Sequence, residues 1–368
     1  MYKLAIYPFT QSSFPLYEFF PIFQPEYEIT HLVSPVGLGL AGHDAGFATN
    51  RSDFGIIVQD NIDQTLNECD ALLVPFGDLK SDSAFFDTFD VMCKAAEQGK
   101  TIFCASKLTR NQFRKLNSVA ASLHYGFLEK KCHADYTTNT VYKPTAPVVF
   151  VHNLTVEADS FEVTLSLAQR FQRDGHRVSV IGARPEYNFL GMNGASLLLN
   201  FFFGNQFLSA IPQCIKVFHH YLRMIELHQR PDVILINIPG AAISTQNYYY
   251  AETGVYLYLM TQIVRPDYAV VCMPYTDLNF DTFRVIHNEM QSKFGCGLDF
   301  IHFSNVMLHA EQTRLTEKKQ TLYRPAQEII QQTKTLRKNN LPVYCALVDE
   351  ERELLYQKLI KSISSEAV

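Results

Sequence analysis

The sequence predicts an α/β chain of two domains, each built on a mostly parallel sheet wound by helices. Three observations predict it. Short apolar runs rich in Val, Ile and Phe alternate with helical patterns along most of the chain, the signature of crossover-connected parallel strands. At 368 residues the chain is long enough for two cores. The stretch KCHADYTTNTVYKPTAP, residues 131–147, is polar, carries two prolines and breaks the periodicity, so it reads as a linker. The expected layout is a small Rossmann-like domain at 1–130, a linker at 131–147 and a larger doubly wound domain at 148–368.

Each element has a local reason. In the first domain, apolar runs predict strands at Leu4–Tyr7, Ile29–Val33, Gly55–Val58, Ala71–Pro75 and Thr101–Ala105. Helical patterns lie near Ile62–Cys69 and Phe85–Gln98. In the second, strands are predicted at Val148–His152, Arg177–Ile181, Val233–Asn237, Tyr268–Met273, Phe300–Phe303 and Val343–Leu347. Between the first two, Phe161, Leu165, Ala168 and Phe171 share one face of a helix over Ser160–Arg173, and Gly175 stops it. Polar Glu311–Asn340 reads as a solvated helical excursion.

Composition narrows the function. Lys plus Arg number 32 against 37 Asp plus Glu, a net charge of −5, so no basic face for nucleic acid or anionic lipid is expected. No apolar run reaches a membrane-spanning length of ~18 residues. MYKLAIYPFT lacks the layout of a signal peptide, so a cytoplasmic location is expected. The eight cysteines include no C-x-x-C pair and read as reduced core thiols. His219, His220 and His228 share a helical stretch, but no carboxylate or thiolate completes a metal set with them. No nucleophile elbow or ordered triad is present.

In an open parallel sheet, ligands gather at the carboxyl ends of strands. The first strand of the second domain leads through His152-Asn153-Leu154-Thr155 and Glu157-Ala158-Asp159-Ser160 into a helix. A phosphate-binding loop belongs there, and it needs glycines, a Lys and a Ser/Thr for Mg²⁺. Between Val151 and Gly175 there is neither a glycine nor a Lys. Glu157, Asp159 and Glu162 stand there instead, and each would oppose a phosphate charge by roughly 2 kcal/mol at ~8 Å. Asp159 or Ser160 is expected to cap the helix. The domain thus reads as a P-loop NTPase whose loop has degenerated, with no nucleotide cofactor. Farther on, Asn237-Ile238-Pro239-Gly240 occupies the place of a Mg²⁺-linked Asp and a γ-phosphate-sensing Gly. It reads either as a strand with a tight turn at Pro239-Gly240 or as a relic switch region, because Asn237 is a poor Mg²⁺ ligand.

EADSFEVTLSLAQRF (157–171), GHRVSVIGARPEYNFLG (175–191), RPDVILINIPGAA (230–242) and RPDYAVVCMP (265–274) together carry a resemblance. They resemble a family of Firmicutes peptide-maturation accessory proteins associated with radical-SAM enzymes in bacteriocin-like ribosomal peptide clusters. The resemblance implies a precursor peptide and a radical-SAM maturation enzyme as partners. It also implies a glycine-containing loop and a Lys between Asp and Phe. Here His152-Asn153 and Ser160 stand in their places.

In the first domain, Gly37, Gly39 and Gly42 match G-x-G-x-x-G, but His43-Asp44 continue as loop where a dinucleotide site needs a helix. The stretch reads either as a glycine-rich loop at the strand edge or as a cofactor or peptide contact. Gly77 and Asp78 follow the strand Ala71–Pro75 and form a second candidate. Tyr248–Tyr250 could offer a protein contact surface. The expectation is a non-hydrolysing accessory protein that binds a precursor peptide or its modifying enzyme, with homodimerisation left open. The alternative is an enzyme whose ligand sits among these strand-end loops.

Overall fold

A computed structural model describes residues 1–76, 88–127, 141–155, 158–194, 207–243, 254–276, 278–309, 311–312, 315 and 321–366, the side chains of 193–194, 207–214 and 366 excepted. The fold is α/β with mostly parallel sheets. The chain divides into two compact units, residues 1–130 with 184–196, and residues 131–183 with 197–368.

Unit 1 holds β1 (Tyr2–Ile6), β2 (Tyr27–Leu32), β3 (Ala71–Val74), β4 (Thr101–Cys104) and β5 (Ser122–Tyr125). All pair in parallel, in the order β2-β1-β3-β4-β5. This is the flavodoxin-type doubly wound order, not the dinucleotide-binding one, and its direction reverses between β1 and β3. Gly55–Val58 is not a strand: it makes only an isolated antiparallel bridge, Ile57 to Asp44. The helices Phe14–Phe23 and Arg110–Val119, and edge strand β5, go beyond the sequence prediction.

Segment 184–196, which the sequence assigns to the second domain, folds with unit 1. The Glu186 side chain, fully buried, accepts the Phe76 N–H just beyond β3 at 2.8 Å and pairs with Arg184 at 2.8 Å. Arg184 also donates to the Ser12 carbonyl, and Asn188 Nδ2 to the Gly126 carbonyl at 2.7 Å. Gly126 must be glycine, since a Cβ would lie 2.6 Å from Pro185 Cβ. Farther along, the Phe189 ring meets Phe103 edge-on at 5.6 Å, and Gln24 Nε2 donates to the Phe189 carbonyl. The segment therefore runs from the carboxyl edge of the sheet onto its face.

Unit 2 has the parallel order β14-β11-β10-β6-β9-β7, from β6 (Val148–Asn153), β7 (Val178–Gly182), β9 (Val233–Ala241), β10 (Tyr268–Met273), β11 (Phe300–Phe303) and β14 (Val343–Tyr344). The two-residue β8 (Asn193–Gly194) lies in the segment of unit 1. All six residues of β6 are buried, as helices on both faces of a parallel sheet require. Winding reverses between β6 and β10, so ligand geometry points to their carboxyl ends. The 311–340 region is not merely solvated. Its strand β13 (Thr321–Tyr323) pairs antiparallel with β12 (Val306–Leu308), and Ile329, Ile330, Thr333 and Leu336 of helix Ala326–Lys338 are buried. Cys69, Cys93, Cys104, Cys272, Cys296 and Cys345 are buried free thiols; burial pushes Cys104 and Cys296 up to about 12.

Candidate functional site

At the carboxyl end of β6 the chain is tied down from several sides. Asn153 Oδ1 accepts the Ala158 N–H at 2.9 Å. The Asn153 and Leu154 carbonyls accept the N–H groups of Ala242 and Ile243, and the Leu154 N–H donates to the Cys272 carbonyl. The turn is thus pinned to the ends of β9 and β10. It delivers Asp159 in the left-handed region, φ 66°, which costs a non-glycine residue roughly 1–2 kcal/mol.

What Asp159 does there corrects the sequence expectation. It makes no cap hydrogen bond to its own helix, Ser160–Arg173. Its Oδ2 instead accepts from Ser304 Oγ at 2.5 Å and from His302 Nε2 at 3.2 Å. His302 Nδ1 accepts the Ala346 N–H at 3.0 Å, so the ring proton sits on Nε2 and points at the acid. Ser304 Oγ also accepts the Val306 N–H at 3.0 Å. Asp, His and Ser are assembled here, but not as a nucleophile relay. Both donors aim at one carboxylate oxygen, so the hydroxyl proton goes to the acid and not to the imidazole. Ser160, the first helical residue, is buried, and its carbonyl accepts the Thr164 hydroxyl at 2.7 Å.

A second polar pair lies one helical turn along. Glu162 is 1% exposed and meets Arg352, 5% exposed, at 2.5 Å. Arg352 Nε donates to the Ala346 carbonyl, so Ala346 joins this pair to the His302–Asp159 chain. Neither described acid of the turn is free to confront a ligand; Glu157 lies outside the described residues. Burial, with Asp159 and Glu162 nearby, holds the Cys272 thiol well above its ordinary pKa, which makes it inert.

Asn237 lies opposite Val151, and its Nδ2 donates to the Val151 carbonyl at 3.3 Å. The predicted tight turn at Pro239-Gly240 does not form. β9 continues to Ala241, and the register slips between His152↔Ile238 and Asn153↔Ala241. Pro239 and Gly240 make this bulge, with Gly240 at φ 76°, where glycine is needed. The structure thus gathers His152, Asn153, Thr155, Asp159, Ser160, Asn237, Pro239 and Gly240 at one strand edge. His302, Ser304 and Arg352 join them unforeseen; the only sequence signal was a His and a Ser in and beside an apolar strand.

Two polar atoms of this edge are buried without a hydrogen-bond partner among the described residues, His152 Nε2 and Thr155 Oγ1. Burial lowers the His152 pKa from the ordinary 6.5 to about 4. A histidine whose folded-state pKa is depressed contributes stability above its unfolded pKa, and loses it as pH falls toward the folded value. Stability is therefore expected to fall by about 3 kcal/mol between pH 6.5 and 4 through this group. Urea unfolding across that range, compared with His152→Gln, checks this: superimposable pH profiles would contradict it.

In unit 1, Asp44 is a staple for its own loop. Its Oδ1 accepts the N–H groups of Gly46 and Phe54, and Oδ2 that of Gly55, each at 2.8 Å. Desolvation raises its pKa, but the N–H groups of Phe54, Gly46, Gly55 and Ile56 outweigh it, so the carboxyl titrates below its usual range. His43 stacks on Phe47 at 4.1 Å. Gly37, Gly39 and Gly42 all have positive φ, and the short 3-10 helix Ala45–Thr49 follows, so the dinucleotide helix is absent from this loop. Gly77, Asp78 and Tyr248–Tyr250 lie outside the described residues. Among the described residues no group of three or more His, Cys, Asp or Glu could hold a metal, and no helix is long and apolar enough to cross a membrane.

No family model matches the sequence, and no curated protein matches it. A solved structure of a DUF1611 family protein from Anabaena variabilis is similar over 99% of this chain and 100% of its own, at 12% identity and a TM-score of 0.60. That likeness shows the fold alone. A GTPase in apo form from Pyrococcus abyssi aligns with 47% of this chain and 72% of its own, at 17% identity and a TM-score of 0.26, and carries no argument.

Proposed function

We propose that this chain is a non-hydrolysing accessory protein that binds a precursor peptide or its modifying enzyme during maturation of a ribosomally made peptide. One observation carries the non-hydrolysing part: Asp159, in a turn without glycine or lysine, is turned from its helix and bonded to Ser304 and His302. A turn so committed, without a glycine to wrap a phosphate or a lysine to neutralise it, is poorly suited to hold a triphosphate. The pathway, with a radical-SAM enzyme as the catalytic partner, comes from the sequence resemblance. The reading is tested by calorimetric titration with a candidate precursor peptide and a candidate radical-SAM enzyme from the same organism, and by thermal shift with ATP and GTP plus Mg²⁺. Expected are saturable binding to at least one partner and no nucleotide shift. A nucleotide shift of several degrees, or no partner binding, overturns it.

The orphan His152 Nε2 and Thr155 Oγ1 favour a second reading, an enzyme with a small ligand at this strand edge. A shift by a nucleotide, a dinucleotide or S-adenosylmethionine that Thr155→Val abolishes would select it. Light scattering distinguishes a homodimer from a monomer.

A further inference from the structure

Unit 2 carries a groove at the opposite end of its sheet, where β6 and β10 begin. Its cavity volume is about 1180 Å³, larger than a small-ligand pocket. One wall is the run 141–147, another the end of helix Val255–Ile263 with the residues that follow it to Asp267, and helix Phe280–Phe294 closes the end with Lys293 and Phe294.

The walls are held in place. Tyr142 donates to the Glu226 carboxylate through its hydroxyl, and Thr145 and Ala146 do so through their N–H groups at 2.8 and 2.7 Å. Asp267 clamps the start of β6, with Oδ2 accepting the Val148 N–H at 2.7 Å and its own N–H donating to the Val148 carbonyl. These bonds occupy both nearby carboxylates. The lining mixes apolar residues, Pro144, Pro147, Ile263, Val264, Pro266 and Phe294 among them, with the polar Thr145, Thr261 and Gln262.

The charges at the rim have the opposite sign to the chain. Lys143, Arg265 and Lys293 line the groove against Asp267 alone, on a chain of net charge −5. Lys143 and Arg265 are exposed and have no carboxylate partner among the described residues, while Lys293 pairs with Glu289 on its own helix. A trough of mixed lining, edged by Lys143 and Arg265 that no described carboxylate meets, complements an extended chain that sets side chains in the trough and carboxylates at its rim. Nucleic acid fits poorly. Three cations against one carboxylate make only a small basic patch on a chain of net charge −5, too little to neutralise a run of phosphates.

We propose that this groove binds an acidic, extended peptide segment. The proposal deepens the accessory reading by giving its peptide a site and a chemistry, but the groove stands on its own charges and walls.

The test is fluorescence anisotropy on the full chain, with a short fluorescein-labelled peptide alternating glutamate and leucine. Saturable binding that weakens with added salt is expected. Lys143→Glu combined with Arg265→Glu is expected to weaken it at least tenfold, at unchanged melting temperature. Lys338→Glu, exposed on a helix that does not line the groove, is expected to leave it unaltered. Should the charge reversal disturb folding, Lys143→Gln with Arg265→Gln gives the same reading in a milder form. The proposal falls if the parent shows no saturable binding, if the groove variants bind as the parent does, or if the glutamine-for-glutamate peptide or a single-stranded oligonucleotide binds equally well. Failure of the accessory reading is separable. If neither the precursor peptide nor the modifying enzyme binds while the acidic probe does, that reading falls and the groove stands. A precursor that binds the groove variants unweakened would do the reverse.

Discussion

Replacing Arg352 with Met is expected to destabilise unit 2 by about 3–5 kcal/mol, because it leaves the Glu162 carboxylate buried without its cation. Taking a carboxylate out of water is costly, and here the compensation is a guanidinium 2.5 Å away that is itself only 5% exposed. The damage should not stop at the pair. Arg352 Nε holds the Ala346 carbonyl, and the Ala346 N–H holds His302 against Asp159. The left-handed Asp159 is thus supported through Ala346, and loosening one end frees the other. Denaturant unfolding measures the loss. The double variant Glu162→Leu with Arg352→Met provides the check, since removing both charges is expected to recover most of the stability. A double variant as unstable as the single one would show that packing, not the unpaired charge, sets the cost.

The second large effect is in unit 1. Phe189→Ala is expected to cost about 3–5 kcal/mol, the range for deleting a buried aromatic side chain. Phe189 packs edge-on against Phe103, which also meets Phe20 and Tyr27 edge-on and stacks with His124 at 4.5 Å. Its removal uncovers one side of an aromatic cluster that Phe103 of β4 centres. A fragment of residues 1–130 lacks the whole segment and should unfold at lower urea than unit 1 does in the intact chain. Limited proteolysis should cut it within the sheet. A fragment as resistant as the whole chain would contradict the argument.

Much of the sheet was legible because buried parallel strands are continuous apolar runs: Tyr268–Met273 and Phe300–Phe303 form over the residues predicted. Helix Phe14–Phe23 was hidden by Pro21 in its interior, which local propensity counts as a breaker although packing of Phe14, Leu16, Phe19 and Phe20 overrides it; Pro15, in the first turn, is compatible with a helix start. Strand β5, Ser122-Leu-His-Tyr125, is a half-exposed edge with no apolar run to betray it. At the candidate site, the missing glycines and lysine could be read directly. The fate of Asp159 could not, because its partners lie 143 and 145 positions away. Segment 184–196 eluded the sequence for the same reason: its apolar residues look equally suited to either core, and only topology assigns them.

That segment also sets an order of events on the ribosome. When β5 has been made, the nascent N-terminal unit still lacks Tyr187, Phe189 and Leu190, all buried in the finished molecule. Translation must continue through β6 and β7 before they emerge, so the first unit cannot close its core until part of the second has been made. Until then the aromatic cluster around Phe103 has an uncovered side, which is the kind of surface that chaperones hold and that aggregation exploits.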